Sequence, residues 1–168
     1  ADNLVKHALA VEAAMRAYAG KLGQDGHKWG LTGLLHDIDY EEFPTIEDHP
    51  WRGAEWLARA GLPEDVVYAV KAHGNNLGLA RGDMLSKALY AVDELAGFIV
   101  AVALVRPSKK IADVEVKSVT KKMKEKSFAA AVNREEMDKS ARELGVEFAE
   151  HVATVLAAMK TIADQIGL

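Results

Sequence analysis

The sequence contains no cysteine, and this absence restricts the chemistry of any metal or redox site. Disulfide bonds and thiolate ligands are excluded, and a reducing compartment such as the cytoplasm is the expected location. Any metal must therefore be bound by histidine, carboxylate and water. These ligands suit Mg, Mn, Fe, Co, Ni or Zn better than a soft metal.

Long apolar runs and a signal pattern are also missing. No segment reaches the ~18 apolar residues that a transmembrane helix needs, and residues 1–7 do not show a basic segment followed by an apolar one. We therefore expect no membrane association. The net charge is −4, and aromatic residues do not alternate with the basic ones, so nucleic acid is not an expected partner. A homo-oligomer is compatible with this composition.

Apolar residues recur at a spacing near 3.6 through almost the whole chain, which is typical of amphipathic helices. With 49% hydrophobic residues the chain can bury a sizeable core. We predict an all-α, single-domain bundle over residues 1–168. The predicted helices cover approximately residues 4–20, 29–37, 50–61, 63–74, 83–105, 114–125, 134–144 and 146–165, with a loop at 38–48 and a glycine-rich connection at 75–82.

Several polar residues lie on the apolar faces of these helices. Asp93 follows Leu89 by four residues and precedes Ala96 by three, so it shares the predicted buried face of its helix. His7 follows Leu4 by three residues and precedes Val11 by four, so it also lies on the predicted buried face of its helix. A buried carboxylate costs several kcal/mol unless a partner compensates its charge. A salt bridge or a hydrogen-bonded core residue would explain each one taken alone.

The polar residues are more informative as a set. The adjacent pair His36 and Asp37 follows an apolar run, so His7, this pair and Asp93 lie on three different predicted helices. A single cation between the two imidazoles and two carboxylates would offset the cost of burying them. These groups form a reasonable ligand set for a divalent metal. Four further histidines are less distinctive. Taken alone, His49 and His73 at helix ends are better interpreted as surface residues. His27 and His151 are interpreted as ordinary histidines without a functional role.

The order of these residues resembles the HD superfamily of metal-dependent phosphohydrolases. That superfamily has a histidine, a His-Asp doublet and a distal aspartate on a helical bundle, and here the similarity covers about residues 4–105. The presence of His49 and His73 makes the chain similar to the dinuclear members, such as bacterial diadenosine tetraphosphatases and HD-GYP phosphodiesterases. Residues 106–168 carry no family motif and are expected to form helices that pack on the core.

The resemblance implies a ligand set for one or two divalent metal ions. His7, His36, Asp37 and Asp93 would bind the first metal, and Asp37 would bridge to a second metal held by His49 and His73. The expected reaction is attack of a metal-activated water on a small phosphorylated substrate, such as a nucleotide or another phosphate ester. Asp37 is then a catalytic residue, and Asp39 is the nearest candidate for a proton shuttle.

The chain departs from the family pattern at Tyr40, where many dinuclear relatives carry a lysine that contacts substrate phosphate. Phosphate contact must then come from elsewhere. We expect Arg106 and Lys109, which follow the Asp93 helix, to bind substrate. The lysines at 117, 121, 122, 124 and 126 are better explained as a solvated helix face balanced by acidic neighbours.

Two other classes of function remain open. An HD-type di-iron oxygenase uses a similar ligand set, and ligand type alone does not determine the redox role of a metal. A non-catalytic regulatory bundle with a vestigial metal site is the second alternative, although the presence of all six expected ligands argues against it.

Overall fold

The computed structural model describes all 168 residues. It contains nine α-helices and no β-strand, which confirms the all-α prediction. Short 3₁₀ turns lie at Asn75–Leu77 and Ile111–Asp113. The helices are α1 (Asp2–Lys21), α2 (Gly26–Leu35), α3 (Trp51–Arg59), α4 (Glu64–His73), α5 (Met84–Leu104), α6 (Val116–Met123), α7 (Arg134–Leu144), α8 (Phe148–Lys160) and α9 (Ala163–Ile166).

Side-chain caps determine where two of the helices that carry the polar cluster begin. The carboxylate of Asp25 accepts hydrogen bonds from the backbone N–H groups of His27 and Lys28. Asp83 accepts a hydrogen bond from the backbone N–H of Ser86. These N–H groups have no partner inside their helix, so a capping carboxylate stabilises the first turn. Because Asp25 caps α2, this helix begins earlier than the sequence predicts.

The single helix predicted over residues 146–165 is wrong in one respect, since a turn at Thr161 and Ile162 divides it into α8 and α9. In this turn the backbone N–H groups bond to carbonyls three residues earlier, which tightens the chain relative to an α-helix. After the turn, Ile166 is only 4% exposed and belongs to the hydrophobic core. The turn thus brings the apolar side chain of Ile166 into the hydrophobic core.

Helix α5 lies at the centre of the bundle and packs against α1, α4, α7 and α8. The main hydrophobic core includes residues from both 4–105 and 106–168, with Ile111, Val119 and Val155 among the latter. Helix α2 lies very close to α1, because a Cβ at Gly33 would be 2.9 Å from Met15 Cγ and 3.0 Å from the Val11 carbonyl oxygen. This close packing fixes the end of α2 against α1.

A second, smaller hydrophobic cluster holds α3 against α4. Its buried members are Ala54, Leu57, Val67 and Val70. This contact brings the residues that precede α3 near the carboxyl end of α4. None of the nine helices combines the length and the apolar character that a bilayer span requires.

Candidate metal centre

Six polar side chains from five parts of the fold meet beside α5. Helix α1 contributes one histidine, the end of α2 a histidine and an aspartate, the residue before Pro50 a histidine, the last residue of α4 a histidine, and the middle of α5 an aspartate. These are His7, His36, Asp37, His49, His73 and Asp93. The structure thus brings together all the residues predicted as metal ligands.

One half of the cluster is formed by His7, His36 and Asp93. His7 Nε2 lies 2.8 Å from Asp93 Oδ1. His36 Nε2 lies 3.4 Å from the same oxygen and 3.3 Å from Asp37 Oδ2. The donor atoms of His7, His36 and Asp93 are all within 4.8 Å of one another, as they must be to bind one ion.

The other half of the cluster faces the second oxygen of Asp37. Asp37 Oδ1 lies 3.4 Å from His49 Nε2 and 3.4 Å from His73 Nε2. The two imidazole rings are 5.1 Å apart, measured between their centroids. The carboxylate of Asp37 therefore lies between two groups of nitrogen donors and turns one oxygen toward each.

Backbone carbonyls determine which nitrogen of two imidazoles faces the centre. His36 Nδ1 is 2.7 Å from the Gly33 carbonyl oxygen, and His73 Nδ1 is 2.6 Å from the Val70 carbonyl oxygen. A carbonyl only accepts hydrogen bonds, so both Nδ1 atoms carry the proton and donate it. In the neutral form of each ring, Nε2 then has a lone pair directed toward the cluster, and this is the form that binds a metal.

The carboxylate of Asp39 orients His49. It is fully buried, and its Oδ1 accepts a hydrogen bond from His49 Nδ1 at 2.7 Å while its Oδ2 accepts one from the Gly53 backbone N–H at 2.6 Å. With both oxygens engaged and no exposed surface, this carboxylate is poorly placed to exchange protons with solvent. The geometry therefore favours a positioning role for Asp39 over the proton shuttle predicted from the sequence.

The charges in the cluster favour a positive charge at its centre. Burial lowers the pKa of His36, but the carboxylates of Asp93 and Asp37 outweigh it and hold that pKa well above its usual value. Burial raises the pKa of both carboxyl groups, yet contact with His36 brings both pKa values below the usual range, with His73 contributing at Asp37 and His7 at Asp93. A proton or a cation between these groups satisfies the same electrostatic demand.

The residues fit a divalent metal. His36 Nε2 is buried, and the oxygens of Asp93 and Asp37 lie 3.4 and 3.3 Å from it without the geometry of a hydrogen bond, an arrangement that a cation among these atoms would satisfy. Four imidazole nitrogens and two carboxylates are donors that Zn, Fe, Mn, Co and Ni accept. A second observation supports the fit, since the donor atoms of His36, Asp37 and His73 also lie within 4.8 Å of one another.

Comparison with known families agrees with this geometry, because the model of the HD domain matches residues 4–142. The chain belongs to the HD domain family. Membership in this family places the chain among the metal-dependent phosphohydrolases. The match extends beyond the motifs of residues 4–105 to include α6 and most of α7.

This HD domain also matches proteins named ribonuclease Y. It is 34% identical over 73 residues to ribonuclease Y of Nitratidesulfovibrio vulgaris, which is 43% of this chain and 14% of that protein. It is 45% identical over 56 residues to ribonuclease Y 2 of Bdellovibrio bacteriovorus, which is 33% of this chain and 11% of that protein. The chain thus spans only a small part of the length of these relatives. No solved structure gives a significant match.

Arg106 and Lys109, predicted to bind substrate, lie away from the cluster of this HD domain. Leu104, the last residue of α5, lies about 16 Å from Asp93 along the helix axis, and Arg106 lies two positions beyond it. It lines a separate basic pocket of about 780 Å³ and contacts Ser118 Oγ at 3.3 Å. Lys109 lies in the following turn with a positive φ of 52°. This placement does not support a contact between either residue and substrate at the metal centre.

The contacts of two residues near the HD cluster were not predicted from the sequence. The Asn76 side chain donates hydrogen bonds to the carbonyl oxygens of Ile46 (2.6 Å) and His49 (3.0 Å), so it ties the loop before α3 to the chain after α4. Gly74 makes room for this contact, because a Cβ there would lie 2.5 Å from Asn76 Oδ1. In the sequence, the glycine directly after His73 was the one signal of this close contact.

The structure also shows the surroundings of Tyr40 and His151. Tyr40, which occupies the place of the family lysine, packs edge-on against His49 with ring centroids 5.0 Å apart. His151, read as ordinary, is fully buried between Tyr18 and α5. Its Nε2 donates to the Ala91 carbonyl oxygen at 2.8 Å and its Nδ1 accepts from the Tyr18 hydroxyl at 2.5 Å. His151 is therefore a hydrogen-bonded core residue.

Proposed function

We propose that this HD domain hydrolyses a nucleotide or another small phosphate ester, with one or two divalent metal ions held by the six clustered side chains. The observation that carries the proposal is the position of Asp37. Each of its oxygens faces a different group of imidazoles, with His7 and His36 on one side and His49 and His73 on the other. This is the arrangement expected of a carboxylate shared by two ions.

Bound metal would supply an activated water and neutralise charge on the phosphoryl oxygens. The protein contributes orientation and access. His36 and His73 are held by backbone carbonyls, and His49 is held by Asp39. Asp93 and His7 keep 27% and 23% of their side chains exposed, so water and a substrate phosphate can reach this side of the cluster. Two of the other four ligands, His36 and His73, are buried, whereas Asp37 and His49 keep 17% and 16% of their side chains exposed.

A small ester is favoured over a polymer by the surface charge. The chain carries a net charge of −4, whereas binding along a nucleic acid backbone draws on a basic surface. Ribonucleic acid is nevertheless a second candidate substrate, because several curated relatives are named ribonuclease Y. Both substrates contain phosphate esters, so the same centre would serve either reaction.

The test begins with metal analysis of the purified protein, followed by removal of metal with a chelator and re-addition of Mn, Fe, Co, Ni, Zn or Mg one at a time. Release of product is then measured with a panel of nucleotides, small phosphodiesters and a short RNA. We expect hydrolysis that depends on added metal and that is lost in Asp37→Asn. Asp138→Asn on the exposed face of α7 is the matched control and should retain full activity.

Each alternative gives a different result in this experiment. Cleavage of RNA without hydrolysis of small esters would replace the preferred substrate class by the second one. Oxygen consumption that requires iron, with no phosphate ester hydrolysed, would indicate an oxygenase. Protein that binds no metal, or that binds metal but has neither activity, would contradict the catalytic proposal and leave a regulatory bundle.

A further inference from the structure

Helix α5 contains a single glycine, Gly97, in the interior of its 21 residues. Glycine destabilises a helix interior relative to alanine because it has more conformational freedom to lose. Gly97 follows Asp93 by four residues, so the two lie on the same face of α5, about 6 Å apart along its axis. A glycine at this position therefore calls for a specific reason.

Close packing explains three other glycines inside helices, but it explains neither Gly97 nor Gly20 near the exposed end of α1. A Cβ at Gly30 would lie 2.6 Å from the Arg16 side chain, one at Gly33 would lie 2.9 Å from Met15, and one at Gly53 would lie 3.0 Å from Asp39. At Gly97 an added Cβ would meet no atom within 4 Å. Gly97 is exposed, so the space in front of it is open, and no neighbouring helix requires a glycine there.

The empty space belongs to a pocket of about 360 Å³ between α1, α5 and the residues that follow α9, here called the Gly97 pocket. Its walls include the apolar side chains of Val100, Leu104, Ile166 and Leu168. Its polar side is formed by Asn3, Lys6 and His7. Its volume lies within the ~300–1,000 Å³ range typical of small-molecule sites. Because His7 also belongs to the metal cluster, the pocket opens beside the proposed reaction centre.

We propose that the Gly97 pocket binds the organic group of the substrate, that this group has an apolar face of the size of an aromatic ring, and that Gly97 sets the room available to it. The inference rests on the proposed phosphate ester hydrolysis. A phosphate bound next to the proposed metal ligands His7 and Asp93 would have its ester group beside Gly97, one helical turn from Asp93. Val100 and Leu104 continue the same face of α5 and provide the apolar contact.

The charge beside the pocket also suits a phosphate ester. Lys6 is the one cation that lines the Gly97 pocket, and it flanks the ligand His7. Its Nζ is paired with the exposed carboxylate of Asp2 at 2.8 Å, and a phosphate that displaced this surface pair would gain the positive contact that Tyr40 cannot make. A smaller pocket of about 230 Å³ lies on the other side of the cluster, next to Asp37, and contains the ion pair between Glu41 and the Ala1 amino group. Its volume is below the ~300–1,000 Å³ range typical of small-molecule sites, which favours the Gly97 pocket.

A side chain at position 97 would enter the path between the pocket and the centre. The Cα–Cβ bond in a helix is tilted toward the amino end, so a larger side chain at 97 points back toward Asp93. The substitution Gly97→Leu therefore fills the pocket without removing any metal ligand. Gly20→Leu is the matched control, because a Cβ at Gly20 also meets no atom within 4 Å but this residue lies at the exposed end of α1, outside the pocket.

The experiment compares pairs of substrates that share the phosphate but differ in the organic group: phenyl phosphate with methyl phosphate, and a nucleoside monophosphate with ribose 5-phosphate. For Gly97→Leu we expect kcat/KM to fall roughly 10- to 100-fold for the member with an aromatic ring and to change little for its partner. Metal content should equal that of the wild type. Leu104→Gln, at a half-exposed position, is a second variant that removes one apolar wall and should act in the same direction.

Binding without turnover separates this inference from the proposed function. Phenylphosphonate and methylphosphonate, which are not hydrolysed, are titrated into the protein while the backbone amide resonances of Gly97, Gly167 and Leu168 are followed. We expect shifts with phenylphosphonate that Gly97→Leu abolishes and Gly20→Leu preserves. If these hold while no ester is hydrolysed, the pocket assignment stands and the hydrolase proposal fails. Equal effects of Gly97→Leu on both members of each pair, or unchanged phenylphosphonate binding, would overturn the pocket assignment.

Discussion

The carboxylate of Asp39 lies directly behind the imidazole of His49, with Asp39 Oδ1 2.7 Å from His49 Nδ1. Its second oxygen is occupied by the Gly53 backbone N–H. Because both oxygens accept, the proton of His49 is held on Nδ1 and the lone pair on Nε2 faces Asp37. A buried residue that binds no metal itself thus determines the form of a proposed ligand.

The substitution Asp39→Asn should weaken metal binding while leaving the fold intact. An asparagine of the same shape can still accept from Gly53, but its amide then donates to His49 Nδ1 and shifts the ring proton to Nε2. We expect an affinity lower by roughly 10- to 100-fold for one metal, measured by calorimetric titration of chelator-treated protein. Asp138→Asn is the control, and an unchanged affinity in Asp39→Asn would contradict the positioning role.

Metal removal should lower the thermal stability without unfolding the bundle. The main hydrophobic core contains none of the six polar residues, so the helices retain their packing without an ion. A ligand that binds only the native state at 100 times its dissociation constant stabilises it by about 2.7 kcal/mol, which corresponds to a Tm increase of roughly 5–10 °C for a chain of this size. Calorimetry with and without chelator measures this difference. A similar metal-dependent increase in Asp37→Asn would show that the metal binds elsewhere.

The buried His151 should make the native state less stable in acid. Burial lowers the pKa of His151 to about 4, whereas an unfolded histidine has a pKa of about 6.5. As the pH falls below the unfolded value, the unfolded state takes up a proton that the native state rejects, so stability decreases from about pH 6.5 to about pH 4. The full loss is on the order of 3 kcal/mol.

The contribution of His151 is measured by urea unfolding of chelator-treated protein at several pH values. In His151→Gln this part of the pH dependence should disappear, although the variant itself is less stable at neutral pH because a buried hydrogen bond is altered. The exposed His27 provides the control, and His27→Gln should keep the acid sensitivity. An identical pH profile in His151→Gln and the wild type would show that His151 is not the residue responsible.

Two glycine-to-alanine substitutions should have opposite effects on stability. At Gly33 the added Cβ would lie 2.9 Å from Met15 and 3.0 Å from the Val11 carbonyl oxygen, so Gly33→Ala must push α2 away from α1. We expect it to cost about 1–3 kcal/mol. At Gly97 the space is open, and Gly97→Ala should stabilise α5 by up to about 1 kcal/mol. Denaturant unfolding of both variants tests the pair, and destabilisation by Gly97→Ala would refute the open environment assigned to it.

The helical periodicity and the positions of polar residues on apolar helix faces could be predicted from the sequence. The spacing of Asp93 from Leu89 and Ala96 placed a carboxylate on an apolar face, and that mismatch between a polar residue and a buried position was the signal for the cluster. The structure brings the six predicted ligands together, and their binding of metal stays a prediction. The prediction of one helix over 146–165 was wrong, because a tight turn at Thr161 and Ile162 leaves no mark in the apolar pattern.

The sequence by itself determined that the chain is helical and which side chains are too polar for the faces that carry them, since both follow from local spacing. Only the tertiary structure decided that Asp37 turns one oxygen to each group of histidines, that Asp39 supports His49, and that Arg106 lies far from both. Spacing fixes the face of a helix on which a residue lies. The angle and distance between helices depend on contacts between distant residues, such as Gly33 against α1, and these arise only when the chain is folded.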